Sequence, residues 1–484
     1  MNFAELLAFI IYFVVVLSIG LYFFRKSSGG DDKEYFLGGR AMGPWVTAMS
    51  AQASDMSGWL LMGFPGSLIA FGMGQVWIGI GLALGTTANW LLVARRLRRF
   101  SKASGDAITL PQYLTNRFLS KSRVLRILCA VIFLLAYTVY AASSIKACGT
   151  LFHTVIGIPA TTAMYIAALI IVGYTFLGGF SAVCWTDFFQ GMIMLAALLL
   201  APLFALALVG RGEGAVGAQL PEGFFRFVTT PQDIISGLGW GLGYFGMPHI
   251  IVRFMSLESQ KSLKKSAKIG ITWNVLIVIF SVAAGCIGHV LLGDIADSST
   301  VFIQMVRKIF PGVISGVLLS AILAASMSTA DSQLLASASA FASDVYKPIL
   351  RKNKAGDKEM LWIGRAVVLA ISIAALLIAS NPNAGSIMDL VSNAWGVFGA
   401  AFGPTILLSL FWKRFTFSGA VAGILVGAAV DVLWFAFLSG TGIYEIIPAF
   451  LASTVAAVVV SLLSKKPDKE VEELFDKAVS FTEE

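Results

Sequence analysis

Apolar runs of about twenty residues, the length that crosses a hydrocarbon core as a helix, recur along the whole of this 484-residue chain, with basic residues gathered in the gaps between them. No other feature constrains the fold so tightly. The runs place spans at 4–24, 45–71, 74–94, 124–152, 158–178, 181–209, 233–253, 268–293, 309–345, 362–380, 386–412, 416–438 and 443–464. The pattern predicts an all-α polytopic membrane protein with thirteen transmembrane helices. Composition agrees: 57% of residues are apolar and 13% charged, against roughly 25% charged in a soluble domain. Too little polar surface remains to cover a water-soluble globule.

The basic residues test the count. When alternate loops are assigned to one side, 30 of the 35 Lys and Arg residues collect there, and only Lys146, Arg211, Arg226, Arg307 and Lys308 fall on the other. Losing one span would scramble this bias. Positive loops stay inside, so the N-terminus is expected outside and the C-terminus in the cytoplasm. The same distribution removes nucleic acid as a partner for the net charge of +8, because the charge encodes topology. The run from Leu6 to Phe24 lacks a basic leader and a cleavage site, and reads as a retained span rather than a signal peptide. The four cysteines (Cys129, Cys148, Cys184, Cys286) lie in apolar stretches and show no metal-ligand spacing. In the tail after Lys465, residues Val471, Leu474, Phe475 and Ala478 have helical spacing. That fits a short amphipathic helix at the membrane surface or a plain solvated tail, with no room for an appended domain.

Two spans break the rules for a membrane helix. Span 2 carries Ala51-Gln-Ala-Ser-Asp-Met-Ser-Gly-Trp59 and then Gly63, Pro65 and Gly66. Span 7 carries five glycines and a proline between Gly237 and His249. Both should unwind in mid-membrane, which is tolerated only where the opened backbone lines a cavity. Span 2 opens one block of five helices (45–209) and span 7 opens another (233–412). The odd number of crossings makes the two blocks inverted repeats. Residues 1–44 precede them, 210–232 form an external loop between them, 413–464 supply two peripheral helices, and 465–484 form the tail. Broken helices at matching positions of inverted halves point to a transporter binding site near the midplane. Close packing of small residues is the competing reading, and it leaves Asp55 unexplained.

Acids interrupt the spans at telling places: Asp55 deep in span 2, Asp187 near the start of span 6 and Asp331 in the middle of span 9. Each needs a partner or water, since an acid at mid-membrane costs roughly 2.5–3.5 kcal/mol. In span 9, Ala325, Ser328, Thr329 and Ser332 share one helix face. Opposite an unwound span 2 with freed carbonyls near Ala53 and Met56, that face would form an all-oxygen cage suited to a small hard cation, sodium best. Such hydroxyls also back-bond to their own helix, and the spacing admits both readings.

At these residues the chain resembles the solute:sodium symporter family, and within it the proline carriers. The resemblance runs over nearly the whole chain and is strongest in Ala53-Ser-Asp-Met-Ser-Gly-Trp-Leu-Leu-Met62, Trp185-Thr-Asp187, Gly239–Gly246 with Pro248-His249, Ala324-Ala325 with Met327-Ser-Thr329, and Tyr444-Glu-Ile-Ile-Pro448. It implies a LeuT-type core of five plus five inverted helices, with one helix before and two after. It implies sodium held by the carbonyls of Ala53, Met56 and Ala325 and the hydroxyls of Ser328 and Thr329. Asp55 and Asp187 match positions tied to sodium dependence, and Asp331 with Ser332 and Asp187 could build a second cation site. Ser57, Gly58, Trp59, Tyr140, Trp240, Tyr244 and Pro248 match the substrate-facing positions. There the four aromatics would wall an apolar ring and a cationic amine, although aromatics also simply pack bundles.

The resemblance thus implies sodium-coupled uptake of L-proline across the plasma membrane, amid membrane lipid. Met247 departs from the proline pattern, which usually has Gln there. The alternative cargo is another small amino acid or a monocarboxylate. An intramembrane enzyme would need a nucleophile with its base, but the only histidines (His153, His249, His289) stand on separate spans and no HExxH or GxSxG motif occurs. A channel or a transport-derived sensor is the remaining rival class.

Overall fold

The computed structural model describes residues 3–27, 37–177, 179–214 and 223–481. Lys33, Gly178 and the middle of the 210–232 loop, all used above, lie outside them. Among the described residues the regular structure is helical, and one isolated parallel bridge joins Met42 to Leu257. This follows from the apolar runs. In lipid a backbone must satisfy its own N–H and C=O groups, which a helix does within one segment.

Ten helices among the described residues are long and apolar enough to cross a membrane. They coincide with spans 1, 3, 4, 6 and 8–13. The remaining three expected spans fall short for visible reasons. Span 5 is described as Ala160–Leu177, with an apolar stretch of only Ala160–Gly173. Spans 2 and 7 are each interrupted in the middle. Span 2 runs Pro44–Ala53, breaks, and resumes at Trp59–Gly63 and Phe64–Phe71; span 7 runs Pro231–Gly239, tightens at Trp240–Phe245, and resumes at Pro248–Ser256. The unwinding expected from Gly, Pro and polar residues is therefore present in both.

The loops sort into two faces. Arg40, before span 2, donates to Ser101 Oγ (3.2 Å) and Ala107 C=O (2.8 Å) in the 95–123 loop. Arg98 donates to Glu258 C=O after span 7 (3.0 Å), Thr109 to Asp344 at the end of span 9 (2.7 Å), and Arg96 to Leu410 C=O at the end of span 11 (2.6 Å). Lys413 meets Asp476 of the tail at 2.6 Å, and that bond holds its ammonium above the ordinary lysine pKa. The basic segments joined by these bonds thus meet one another on one face. On the opposite face Arg307 pairs with Glu5 (3.2 Å) and donates to Thr154 C=O (3.2 Å), Met73 N–H bonds Phe224 C=O (2.8 Å), and Ser236 Oγ bonds Gly442 C=O (3.1 Å). None of these bonds crosses between the two sets.

Some boundaries differ from expectation. Span 3 continues past Asn89–Val93 into the basic helix Ala94–Ala103, whose Leu97 and Phe100 are buried. The short helix Val301–Ile309 precedes span 9, and its nine residues are too few to cross. The tail forms the helix Lys469–Ser480. Its apolar face does not lie on lipid: Val471, Phe475 and Ala478 are buried, Phe475 meets the Phe100 ring edge-on at 5.2 Å, and the Arg117 guanidinium sits 4.8 Å above it.

Candidate functional site

The break in span 2 sets the geometry. Ser57 N–H donates to Asp55 C=O and Leu60 N–H to Ser57 C=O, each at 3.1 Å. In an unbroken helix the same donors would bond the carbonyls of Ala53 and Met56. The freed Ala53 carbonyl accepts Ser328 Oγ from span 9 at 2.8 Å, and the same hydroxyl reaches its own Ala325 carbonyl at 3.1 Å. Thr329 Oγ1 beside it is buried with no hydrogen-bond partner among the described residues. Ser328 thus does back-bond to its helix, as one reading held, and it also bridges to span 2, as the other required. Buried oxygens of this kind, one of them without a partner, are the chemistry that a small hard cation takes as ligands.

Asp55 lies in the break and is fully buried. Its Oδ2 accepts Tyr244 O–H from span 7 at 2.5 Å, while Oδ1 has no hydrogen-bond partner among the described residues. No Lys or Arg pairs with it there. Tyr140 O–H and Trp59 Nε1–H both reach the Asp55 carbonyl at 3.4 Å, and the Trp59 and Trp240 rings face each other at 6.2 Å. Trp59, Tyr140, Trp240 and Tyr244 therefore gather around one unwound residue. Span 11 braces them: Trp395 Nε1 donates to Trp240 C=O at 2.7 Å, and the Tyr244 ring meets Trp395 edge-on at 5.2 Å. Gly243 has to be glycine for this, because a Cβ there would land inside the Trp395 ring.

Of the other three expected substrate positions, Gly58 and Pro248 sit apart from the aromatics. Ser57 is buried within the break, next to the aromatic group. Gly58 turns its Cα toward spans 4 and 9, where a Cβ would collide with Ala147 Cβ and lie 2.9 Å from Ser326 Oγ. It is a helix-contact glycine. Pro248 starts the second half of span 7, where its missing N–H costs nothing, and it lines a cavity of about 30 Å³ with Thr109, Phe133, Phe180, Arg253 and Ser332. That cavity lies toward the basic face, away from the aromatics.

Asp187, Ser332 and Asp331 do come together, around a residue the sequence reading counted as a loop charge. Arg253 is 1% exposed. Its Nη2 meets Asp187 Oδ2 at 3.2 Å and Ser332 Oγ at 2.5 Å, its Nε donates to Ser50 Oγ at 3.0 Å, and its Nη1 donates to His249 C=O. Ser332 Oγ in turn reaches Asp331 Oδ1 at 3.4 Å. One buried carboxyl thus pairs with the guanidinium directly, and the second joins the cluster through the Ser332 hydroxyl.

Other members went unnoticed in the sequence. Asn274 of span 8 donates to Tyr244 Oη (3.2 Å) and Gln52 Oε1 (3.3 Å). His249 ties Tyr137 Oη (3.0 Å) to Ser54 C=O (3.1 Å). Asp431 is a further buried acid, 2% exposed in span 12. Lone polar residues inside apolar spans were the available signal for Asn274 and Asp431.

The profile of the Sodium:solute symporter family matches residues 35–427. The osmoregulated proline transporter OpuE of Bacillus subtilis (strain 168) is 44% identical over 477 residues, 96% of each chain. The sodium/proline symporter of Escherichia coli (strain K12) is 43% identical over 490 residues, covering 98% of this chain and 96% of that one. A solved Na+-coupled sialic acid symporter, 18% identical, superimposes with a TM-score of 0.78 over 96% of this chain and 99% of its own, which speaks for the fold. With the broken spans, the oxygen cluster and these matches together, the chain belongs to the sodium:solute symporter family.

Proposed function

We propose that this chain carries L-proline into the cell together with sodium, by alternating access. The observation that carries the reading is the break in span 2. It turns the Ala53 carbonyl to Ser328, beside a Thr329 hydroxyl with no partner among the described residues, and gathers Trp59, Tyr140 and Tyr244 onto Asp55. Sodium is taken by the Ala53, Met56 and Ala325 carbonyls with Ser328 and Thr329. Proline sits against Trp59, Tyr140, Trp240 and Tyr244. Its carboxylate faces the N-terminal end of the half-helix starting at Trp59, where unsatisfied N–H groups favour an anion. The names of the relatives favour proline as cargo. Met247 beside Pro248 keeps a second small amino acid or monocarboxylate in view.

The path crosses the membrane thirteen times, with spans 2–6 and 7–11 as inverted repeats, the basic face in the cytoplasm and the N-terminus outside the plasma membrane. The segregation of the loops into two faces supports this. Asp187 and Asp331 around Arg253 leave one negative charge unbalanced when both are ionised, so a second monovalent cation fits beside Ser332. The membrane potential adds about 2.3 kcal/mol per charge per 100 mV. Radiolabelled proline uptake into proteoliposomes, with and without a sodium gradient and against a panel of competing amino acids, tests the reading. Flux that ignores sodium, or that does not saturate, would overturn it.

A further inference from the structure

The aromatic wall does not end at Trp240. Trp59 faces that indole from one side at 6.2 Å, and the Tyr444 ring faces it at 5.2 Å with the planes 31° apart. Tyr444 lies outside spans 2–11, in the short segment between spans 12 and 13. Yet it is bound tightly to the core. Its O–H donates to Ser392 C=O of span 11 at 2.7 Å, and its N–H donates to Ser236 Oγ in the first half of span 7 at 3.0 Å. The Ser236 hydroxyl donates onward to Gly442 C=O at 3.1 Å, and Trp434 Nε1 of span 12 holds Ile443 C=O at 3.1 Å.

Three successive residues are thus pinned to three helices. Ser392, which takes the Tyr444 hydroxyl, stands three residues before Trp395, which takes the Trp240 carbonyl. One face of span 11 therefore holds both members of the Trp240–Tyr444 pair. The indole cannot tilt away from Trp59 without displacing a ring whose hydroxyl and amide are both committed.

We infer that Tyr444 is a positioning residue for substrate recognition. It fixes the tilt of Trp240, so the segment 442–444 tunes the affinity of a pocket it does not enter. This rests on the proposed placement of Trp240 against the substrate.

The test uses the full chain in proteoliposomes. Proline KM, maximal rate and the sodium concentration for half-maximal uptake are measured for wild type, Tyr444→Leu, Tyr444→Phe, Trp240→Leu and the Tyr444→Leu/Trp240→Leu double variant. Loss of one aromatic pair should raise the proline KM about three- to tenfold in Tyr444→Leu, with the maximal rate and the sodium requirement within about twofold of wild type. Tyr444→Phe keeps the ring but loses the bond to Ser392, and should raise KM by less than Tyr444→Leu does. The double variant should be no worse than Trp240→Leu, because Tyr444 acts through that residue. An unchanged KM in Tyr444→Leu, or a double variant whose KM rises by the product of the two single effects, overturns the inference. A fall in maximal rate alone marks Tyr444 as merely structural and overturns it too. Wild-type protein that takes up no proline with sodium defeats the proposed cargo instead; the same comparison is then made with whichever solute of the competitor panel is carried.

Discussion

Removing the Arg253 guanidinium gives the sharpest test of how the core is held. Its four acceptors belong to spans 2, 6, 7 and 9: Ser50 Oγ at 3.0 Å, Asp187 Oδ2 at 3.2 Å, His249 C=O and Ser332 Oγ at 2.5 Å. Arg253 is 1% exposed and Asp187 fully buried. Deleting one partner of such a pair leaves an uncompensated charge and costs about 3–5 kcal/mol, whereas replacing both with apolar groups is often close to neutral. Arg253→Met and Asp187→Leu should therefore each destabilise by about that amount, and the double variant by far less than their sum. Reversible unfolding in mixed micelles, read by tryptophan fluorescence, supplies the three free energies. Costs that add to within about 0.5 kcal/mol, the tolerance for independent sites, would show that the pair is not coupled and refute the reasoning.

Three further outcomes follow from the site. Thr329→Ala removes an orphaned oxygen of the proposed sodium cage; the sodium concentration for half-maximal uptake should rise about tenfold or more, in line with a lost charge-assisted contact of roughly 1.5–3 kcal/mol, while detergent-extracted yield stays level. Asp55→Asn keeps the shape but not the charge, and should abolish sodium stimulation in a protein that still runs as a folded monodisperse peak; near-normal coupled uptake would remove Asp55 from the mechanism. Gly243→Ala drives a methyl into the Trp395 ring, and should raise the proline KM well above the effect of Gly173→Ala, a helix position whose Cβ would meet nothing within 4 Å.

The architecture was legible wherever a local rule decides it. Span positions follow from apolar length, and the breaks in spans 2 and 7 from Gly, Pro and polar residues that a lipid-facing helix does not tolerate. The shared face of Ala325, Ser328 and Thr329 is a matter of helical period. What stayed hidden depends on partners far along the chain. Arg253 follows an apolar run like any loop charge, and only Asp187 and Ser332, 66 and 79 residues away, turn it inward. Gly58 looked like a substrate contact because of its neighbours Ser57 and Trp59, but which way its Cα points is decided by Ala147 and Ser326. The tail helix was legible as amphipathic, but its partner was not, since lipid and the Phe100 ring present similar apolar surfaces.

The placement of the two ligands explains why their binding should be linked. The proposed sodium carbonyls belong to Ala53 and Met56, while Asp55 and Trp59, which meet the aromatic group, alternate with them along seven residues. Fixing one residue of backbone costs roughly 1–2 kcal/mol. A stretch of four non-helical residues, 54–57, is thus expensive to order twice and cheap to order once. Whichever ligand arrives first bears most of that cost, and the second meets a segment already set. The coupling is reciprocal by thermodynamic necessity. It needs no displacement between two distant sites, because the helix break belongs to both. A continuous span 2 would leave the same side chains on one helix with no shared ordering step, and the two ligands would then bind independently however closely they sat.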